Sequence, residues 1–146
     1  MDRKQFIKTC GVACFGASAI QLLLQSCATT NYYAQHNVTG NSLAIKKTEF
    51  EKTEKEKTIQ RKYILVKSDK FNFPICIYKL SDNNYSAVLM ECTHKSCELQ
   101  PHGDYLICPC HGSEFSNKGA VQNPPAEQNL QTFKITSDHE NIYIQF

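Results

Sequence analysis

CTHKSC, residues 92–97, packs two thiols and an imidazole into six positions, and CPCHGSEF, residues 108–115, repeats the pattern with two more thiols and a second imidazole. Thiolates and imidazoles are the side chains that hold soft and borderline metals, so the two stretches are read as one site. The residues around them set the architecture. YILVK (63–67), FPICIYKL (73–80) and YSAVLME (85–91) are rich in β-branched and aromatic residues, and SDNN (81–84) separates the last two like a hairpin loop. Beyond the first box, DYLIC (104–108) follows a Gly103-Asp104 turn, and LQTFKIT (130–136) and NIYIQF (141–146) flank SDHE as a second hairpin-like pair. No segment of this part shows helical periodicity. The expected class is all-β, with short stacked antiparallel sheets and an insertion of two loops that carries the cysteines.

Composition narrows the function. The 146 residues carry a formal charge of +2 and no basic stripe that would neutralise phosphates, so nucleic acid is not expected as a partner. Eight cysteines are many for this length, and their placement matters more than their number. Cys10, Cys14 and Cys27 lie near the start, Cys76 stands alone, and the other four form the two boxes. Cys76 falls within the apolar run ICIY and is expected to be a buried, unreactive thiol.

The first 26 residues read as a signal peptide. Arg3, Lys4 and Lys8 precede the apolar run CGVACFGASAIQLLLQ, which is short for a membrane-spanning helix. The segment around Arg3-Lys4 resembles a twin-arginine export motif with its second Arg replaced by Lys. LQSC at 24–27 resembles a bacterial lipobox, although Gln25 is an unusual occupant. That resemblance implies lipidation of Cys27 and a membrane-anchored lipoprotein facing the periplasm or cell exterior. Removal of residues 1–26 takes Arg3, Lys4, Lys8 and Asp2, leaving 13 Lys and Arg against 13 Asp and Glu. Residues 27–44 are polar and aperiodic and suit a tether, with His36 facing water; the domain proper is expected over 45–146. KKTEFEKTEKEKTIQRKY (46–63) reads as a solvated edge strand or its flanking loop, where alternating charge discourages aggregation.

Three arrangements compete for the two boxes. A structural zinc site could draw a Cys2His2 set from C-x-H and C-x-x-H, yet the first spacing is tighter than is usual in zinc fingers and two cysteines are left over. Two disulfides would leave both histidines without a role. A [2Fe–2S] cluster with two thiolates on one iron and two imidazoles on the other uses every residue.

The boxes closely resemble those of the Rieske iron–sulfur family, C-T-H-x-G-C and C-P-C-H-G-S-x-[YF], here CTHKSC and CPCHGSEF. The resemblance implies a Rieske-like fold. It also implies that Cys92 and Cys108 are thiolate ligands, His94 and His111 imidazole ligands, and Cys97 and Cys110 a disulfide joining the loops. It extends to GAVQNPPAEQNLQTFKI (119–135), where Asn123-Pro124-Pro125-Ala126 stands in place of the family's Gly-Pro-Ala-Pro, which covers one side of the cluster. Ser113 matches a serine whose hydroxyl bonds a cluster sulfide. Phe115 replaces a tyrosine that raises the potential, and Lys95 and Ser96 replace the usual Leu and Gly. Because that Leu helps form the quinone-facing surface, Lys95 argues against quinol docking. The implied function is one-electron transfer with redox partner proteins, a cytochrome or an oxidoreductase subunit. The iron–sulfur subunit of a quinol–cytochrome c reductase, the small subunit of an arsenite oxidase-like molybdoenzyme, and a zinc-stabilised binding module remain as alternatives. His102 and His139 match no ligand position and are expected in solvent-facing turns.

Overall fold

The computed structural model describes residues 31–146; the signal peptide, the lipobox and Cys27 lie outside the described residues. The central element is a three-stranded antiparallel sheet of β5 (Tyr63–Val66), β6 (Ile75–Ser81) and β7 (Asn84–Leu89), in the order β5-β6-β7. Both of its faces are covered, which explains why its strands read as continuous apolar runs rather than alternating ones. Ile64, Val66, Ile75, Ile77, Ala87 and Leu89 face one core; Leu65, Cys76, Tyr78, Val88 and Met90 face the other. The strand period of two is therefore intact, with a separate core on each side of it.

The first core is closed by a four-stranded sheet in the order β1-β2-β13-β12, built from β1 (His36–Thr39), β2 (Ser42–Lys46), β13 (Asn141–Gln145) and β12 (Lys134–Ser137). Leu43 and Ile45 of β2, with Ile142 and Ile144 of β13, supply its inner face. These residues correct the expected tether: from His36 onward the segment is a hairpin with Leu43 fully buried. The polar composition of 31–42 reflects the solvent side of an edge strand, and the inward residues come only with β2. Chain order is also departed from at LQTFKIT. Its first half bonds β7, through the Leu89 N–H to Gln131 O at 2.9 Å and the Phe133 N–H to Ala87 O at 3.0 Å, and only from Lys134 does it pair with β13. The expected strand thus links two sheets.

The Lys/Glu-rich segment is solvated in its hairpin of β3 (Glu51–Glu54) and β4 (Lys57–Gln60), every residue of which is exposed, but Phe50 just before it is buried in the first core. Cys76 is buried with no exposure, and burial raises its thiol well above the ordinary range, so it stays a neutral core group.

The second core carries the insertion. A sheet in the order β11-β10-β9-β8, made of β8 (Gln100–His102), β9 (Tyr105–Ile107), β10 (Glu114–Ser116) and β11 (Val121–Asn123), packs Leu106 and Phe115 against Leu65, Tyr78, Val88 and Met90. Tyr78 reaches across with its hydroxyl donating to Tyr105 O at 3.1 Å, which fixes the insertion to the central sheet. His102 and His139 are exposed, as expected.

Candidate metal centre

Each box is a tight turn closed by backbone hydrogen bonds. In the first, the Ser96 N–H donates to Cys92 O at 2.8 Å and the Cys92 N–H to Cys97 O at 2.9 Å. In the second, the Gly112 N–H donates to Cys108 O at 2.9 Å and the Cys108 N–H to Ser113 O at 2.8 Å. The two turns are equivalent, each carrying its histidine above a buried cysteine. Ser96 sits at φ +50° and Gly112 at φ +79°, so both turns need a left-handed residue. That requirement accounts for glycine in the first-box pattern where this chain has Ser96.

The turns face each other. Cys97 and Cys110 are joined, with an S–S distance of 2.05 Å and a Cα–Cα separation of 6.6 Å. The sulfurs of Cys97, Cys108 and Cys110 lie within 4.8 Å of one another, but the disulfide consumes two of them and leaves Cys108 as that trio's one available thiol. Cys92 is the second: it is buried and free, and its thiol is in hydrogen-bonding contact with that of Cys108. Burial raises the Cys92 thiol, while the backbone N–H groups of His94 and Lys95, directed at its sulfur, act in the opposite sense.

The imidazoles of His94 and His111 meet edge to face, with ring centroids 4.9 Å apart and planes at 86°. His94 Nδ1 is buried without a hydrogen-bond partner, the one such side-chain atom among the described residues. A buried polar atom without a partner costs about 1–3 kcal/mol, so a retained one calls for an explanation. Such a nitrogen is free to ligate a metal ion. The two free thiols thus touch each other, the two imidazoles touch each other, and the disulfide lies beside Cys108; the chemistry of this donor set fits a two-iron cluster with mixed ligation.

The third wall is the segment after β11. Ala126 is buried and donates its N–H to Ser113 Oγ at 3.0 Å, while Thr93 Oγ1 donates to Gln128 O at 2.7 Å. One contact ties the loop to the second box and the other to the first. Ala126 belongs to the Asn123–Ala126 segment that the sequence places over the cluster, whereas Thr93 was not singled out from sequence, although it stands inside CTH. Ser113 is fully buried, and accepting the Ala126 N–H leaves its own proton free to donate. A cleft of about 480 Å³ beside His94 is lined by Thr93, Pro125, Glu127 and Gln128; Pro124 is not part of its lining. Phe115 is fully buried beneath the site, and Lys95 and His111 are exposed at its tip.

Geometry by itself leaves zinc and a [2Fe–2S] cluster as tenants of the same four groups. Comparison with known proteins separates them. The sequence pattern of the Rieske [2Fe–2S] domain matches residues 43–134. The chain is 38% identical over 55 residues to the ubiquinol-cytochrome c reductase iron-sulfur subunit of Rickettsia typhi, and 31% identical over 55 residues to the cytochrome b6-f complex iron-sulfur subunit of Prochlorococcus marinus. In both cases the match covers 36% of this chain and 31% of the relative, so it spans under a third of those proteins' length. Among solved structures, the cyanobacterial plasma membrane Rieske protein PetC3 from Synechocystis PCC 6803 superposes with a TM-score of 0.52 at 27% identity, covering 58% of this chain and 87% of that one. The span of the family pattern takes in both boxes, both bridging cysteines and the glycine and proline segment that follows. The chain belongs to the Rieske [2Fe–2S] family and carries that domain's [2Fe–2S] cluster.

Proposed function

We propose that Cys92 and Cys108 hold one iron of the cluster and His94 and His111 the other, and that the protein passes single electrons between redox partners at a bacterial membrane surface, anchored through a lipid on Cys27. The observation that carries the ligand set is the buried, unpartnered His94 Nδ1 beside the His111 ring, with Cys92 and Cys108 the two free cysteines of the insertion. Imidazole ligation supplies an easily reduced centre, with Rieske potentials of roughly −150 to +300 mV against about −400 mV for plant-type ferredoxins.

The protein's own groups do the rest. The disulfide and the two backbone-closed turns hold the four donors in place before the metal arrives, which lowers the entropic cost of assembly. Ser113 directs a hydroxyl proton into the site while Ala126 fixes its oxygen. His111 is exposed, so the histidine side is where a partner can approach. Thr93, Lys95, Ser96 and Gln128 make the surrounding surface polar and exposed, which suits a protein partner, a cytochrome or an oxidoreductase subunit. A second reading, the iron–sulfur subunit of a quinol-oxidising complex, is favoured by the names of the two relatives and opposed by Lys95.

Electron paramagnetic resonance of the dithionite-reduced protein tests the assignment. An average g below the free-electron value is expected for mixed imidazole and thiolate ligation, whereas a silent protein with stoichiometric zinc refutes it. Cys92→Ser should abolish cluster assembly, while Cys97→Ser should chiefly lower stability. The reverse pattern would exchange the roles of the two cysteines.

A further inference from the structure

The described chain is clamped almost from its first residue. Leu65 N–H donates to Tyr32 O at 3.1 Å and the Ala34 N–H to Leu65 O at 2.8 Å, running the segment alongside β5, and Ala34 is buried in the first core. The Tyr32 hydroxyl donates to Glu49 at 2.7 Å, Gln35 N–H donates to the same carboxylate oxygen at 3.1 Å, and the Arg61 guanidinium lies 3.8 Å above the Tyr32 ring. Arg61 in turn donates to Glu49 O, at 3.2 Å, and to Glu51 O. Backbone pairing, a carboxylate and a stacked cation thus hold Tyr32 against the domain.

Only residues 28–31 separate Cys27 from this clamp. At full extension the five steps from Cys27 to Tyr32 span about 18 Å. The headgroup layer takes up roughly 5–8 Å of that, so Tyr32 stays within about one Debye length of the lipid surface in any conformation of the tether. The surface at this point is suited to that position. Tyr32 and Tyr33 are 39% and 44% exposed and account for two of the four large apolar side chains left open among the described residues. Tyrosine has an apolar ring and a polar tip and is favoured at the membrane interface. Lys67, exposed, lines the same hollow as Tyr33 and His36 and can face anionic headgroups.

We infer that the face around Tyr32, Tyr33 and Lys67 rests in the headgroup layer of the membrane, held there by the short leash. The inference rests on the lipid-anchor reading proposed for Cys27.

The chain has no tryptophan, so Tyr33→Trp gives a single reporter. The full chain, expressed with its leader and purified from membranes, is reconstituted into vesicles of phosphatidylethanolamine and phosphatidylglycerol, with and without lipids brominated near the glycerol. The expected result is blue-shifted emission that is lost in the brominated vesicles and recovers when a long Gly/Ser segment is inserted between Thr30 and Asn31. Vesicle-bound protein whose emission is red-shifted and unquenched overturns the interface while leaving the anchor standing. Protein that fractionates away from membranes overturns the anchor and the interface together. Equal quenching in the lengthened protein overturns the role of the leash.

Discussion

Gly119→Ala is expected to destabilise the domain far more than Gly103→Ala, although both glycines adopt a left-handed conformation. Gly119 turns at φ +83° between β10 and β11, with its N–H donating to Ser116 O at 2.8 Å and its carbonyl accepting the Leu130 N–H at 2.9 Å. A Cβ there would stand 3.2 Å from Val88 Cγ1, 3.3 Å from Leu130 Cβ and 3.4 Å from Thr132 Cγ2. Gly103 turns at φ +66° with nothing within 4 Å of an added Cβ. Each variant incurs about 1–2 kcal/mol for a side chain in the left-handed region, less about 0.4–1 kcal/mol regained because alanine restricts the unfolded chain. Gly119→Ala adds an overpacking cost of about 1–3 kcal/mol, because its neighbours belong to β7 and to the segment that crosses it and cannot move apart independently. For a domain of this size 1 kcal/mol corresponds to about 3–5 °C in Tm, so a fall of about 3–23 °C is expected for Gly119→Ala and of no more than about 8 °C for Gly103→Ala, with the first always the larger. Thermal denaturation of the cluster-loaded protein, followed by far-ultraviolet circular dichroism, reads both. Equal losses in the two variants would refute the reasoning, since only the packing around Gly119 distinguishes them. A linked effect follows at the site: Leu130 anchors the far end of the loop that Thr93 and Ser113 clasp, so Gly119→Ala should also speed cluster loss on mild heating.

The other expectations concern the boxes. Ser96→Gly should stabilise the protein by about 0.5–1 kcal/mol, measured by chemical denaturation, because glycine takes φ +50° without a steric cost. Ser113→Ala should cost about 1–3 kcal/mol, since it strips the buried Ala126 N–H of its acceptor, and should lower the reduction potential through the lost hydroxyl proton; calorimetry and voltammetry check the two effects separately. Phe115→Tyr should raise the potential if the added hydroxyl reaches a ligand sulfur, and an unchanged voltammogram in a fully loaded variant would mean that it does not.

Much of this protein was legible from local chemistry. The runs around Ile64, Cys76 and Val88 announced strands because β-branched and aromatic residues suit a pleated surface, and the charge of 46–63 announced solvent because Lys and Glu rarely tolerate burial. The short spacings within CTHKSC and CPCHGSEF placed an imidazole near a thiol in each loop, for any backbone conformation keeps neighbours in reach. Tertiary structure decided what sequence spacing leaves open. Cys76 and Ile77 look alike in the sequence, yet one faces the insertion and the other the first core, because the central sheet is covered twice. Residues 36–44 read as tether because β1 is an exposed edge strand and β2 shows its inward face only once β13 is laid beside it. The three-residue strands of the insertion are too short to establish a period, and LQTFKIT changes partner midway. Four box cysteines allow six choices of a single bridge, and the family resemblance pointed to one. What makes Cys97–Cys110 a disulfide and leaves Cys92 and Cys108 free is the opposition of two turns that are 13 residues apart in the chain and 6.6 Å apart across the bridge, a distance that only folding sets.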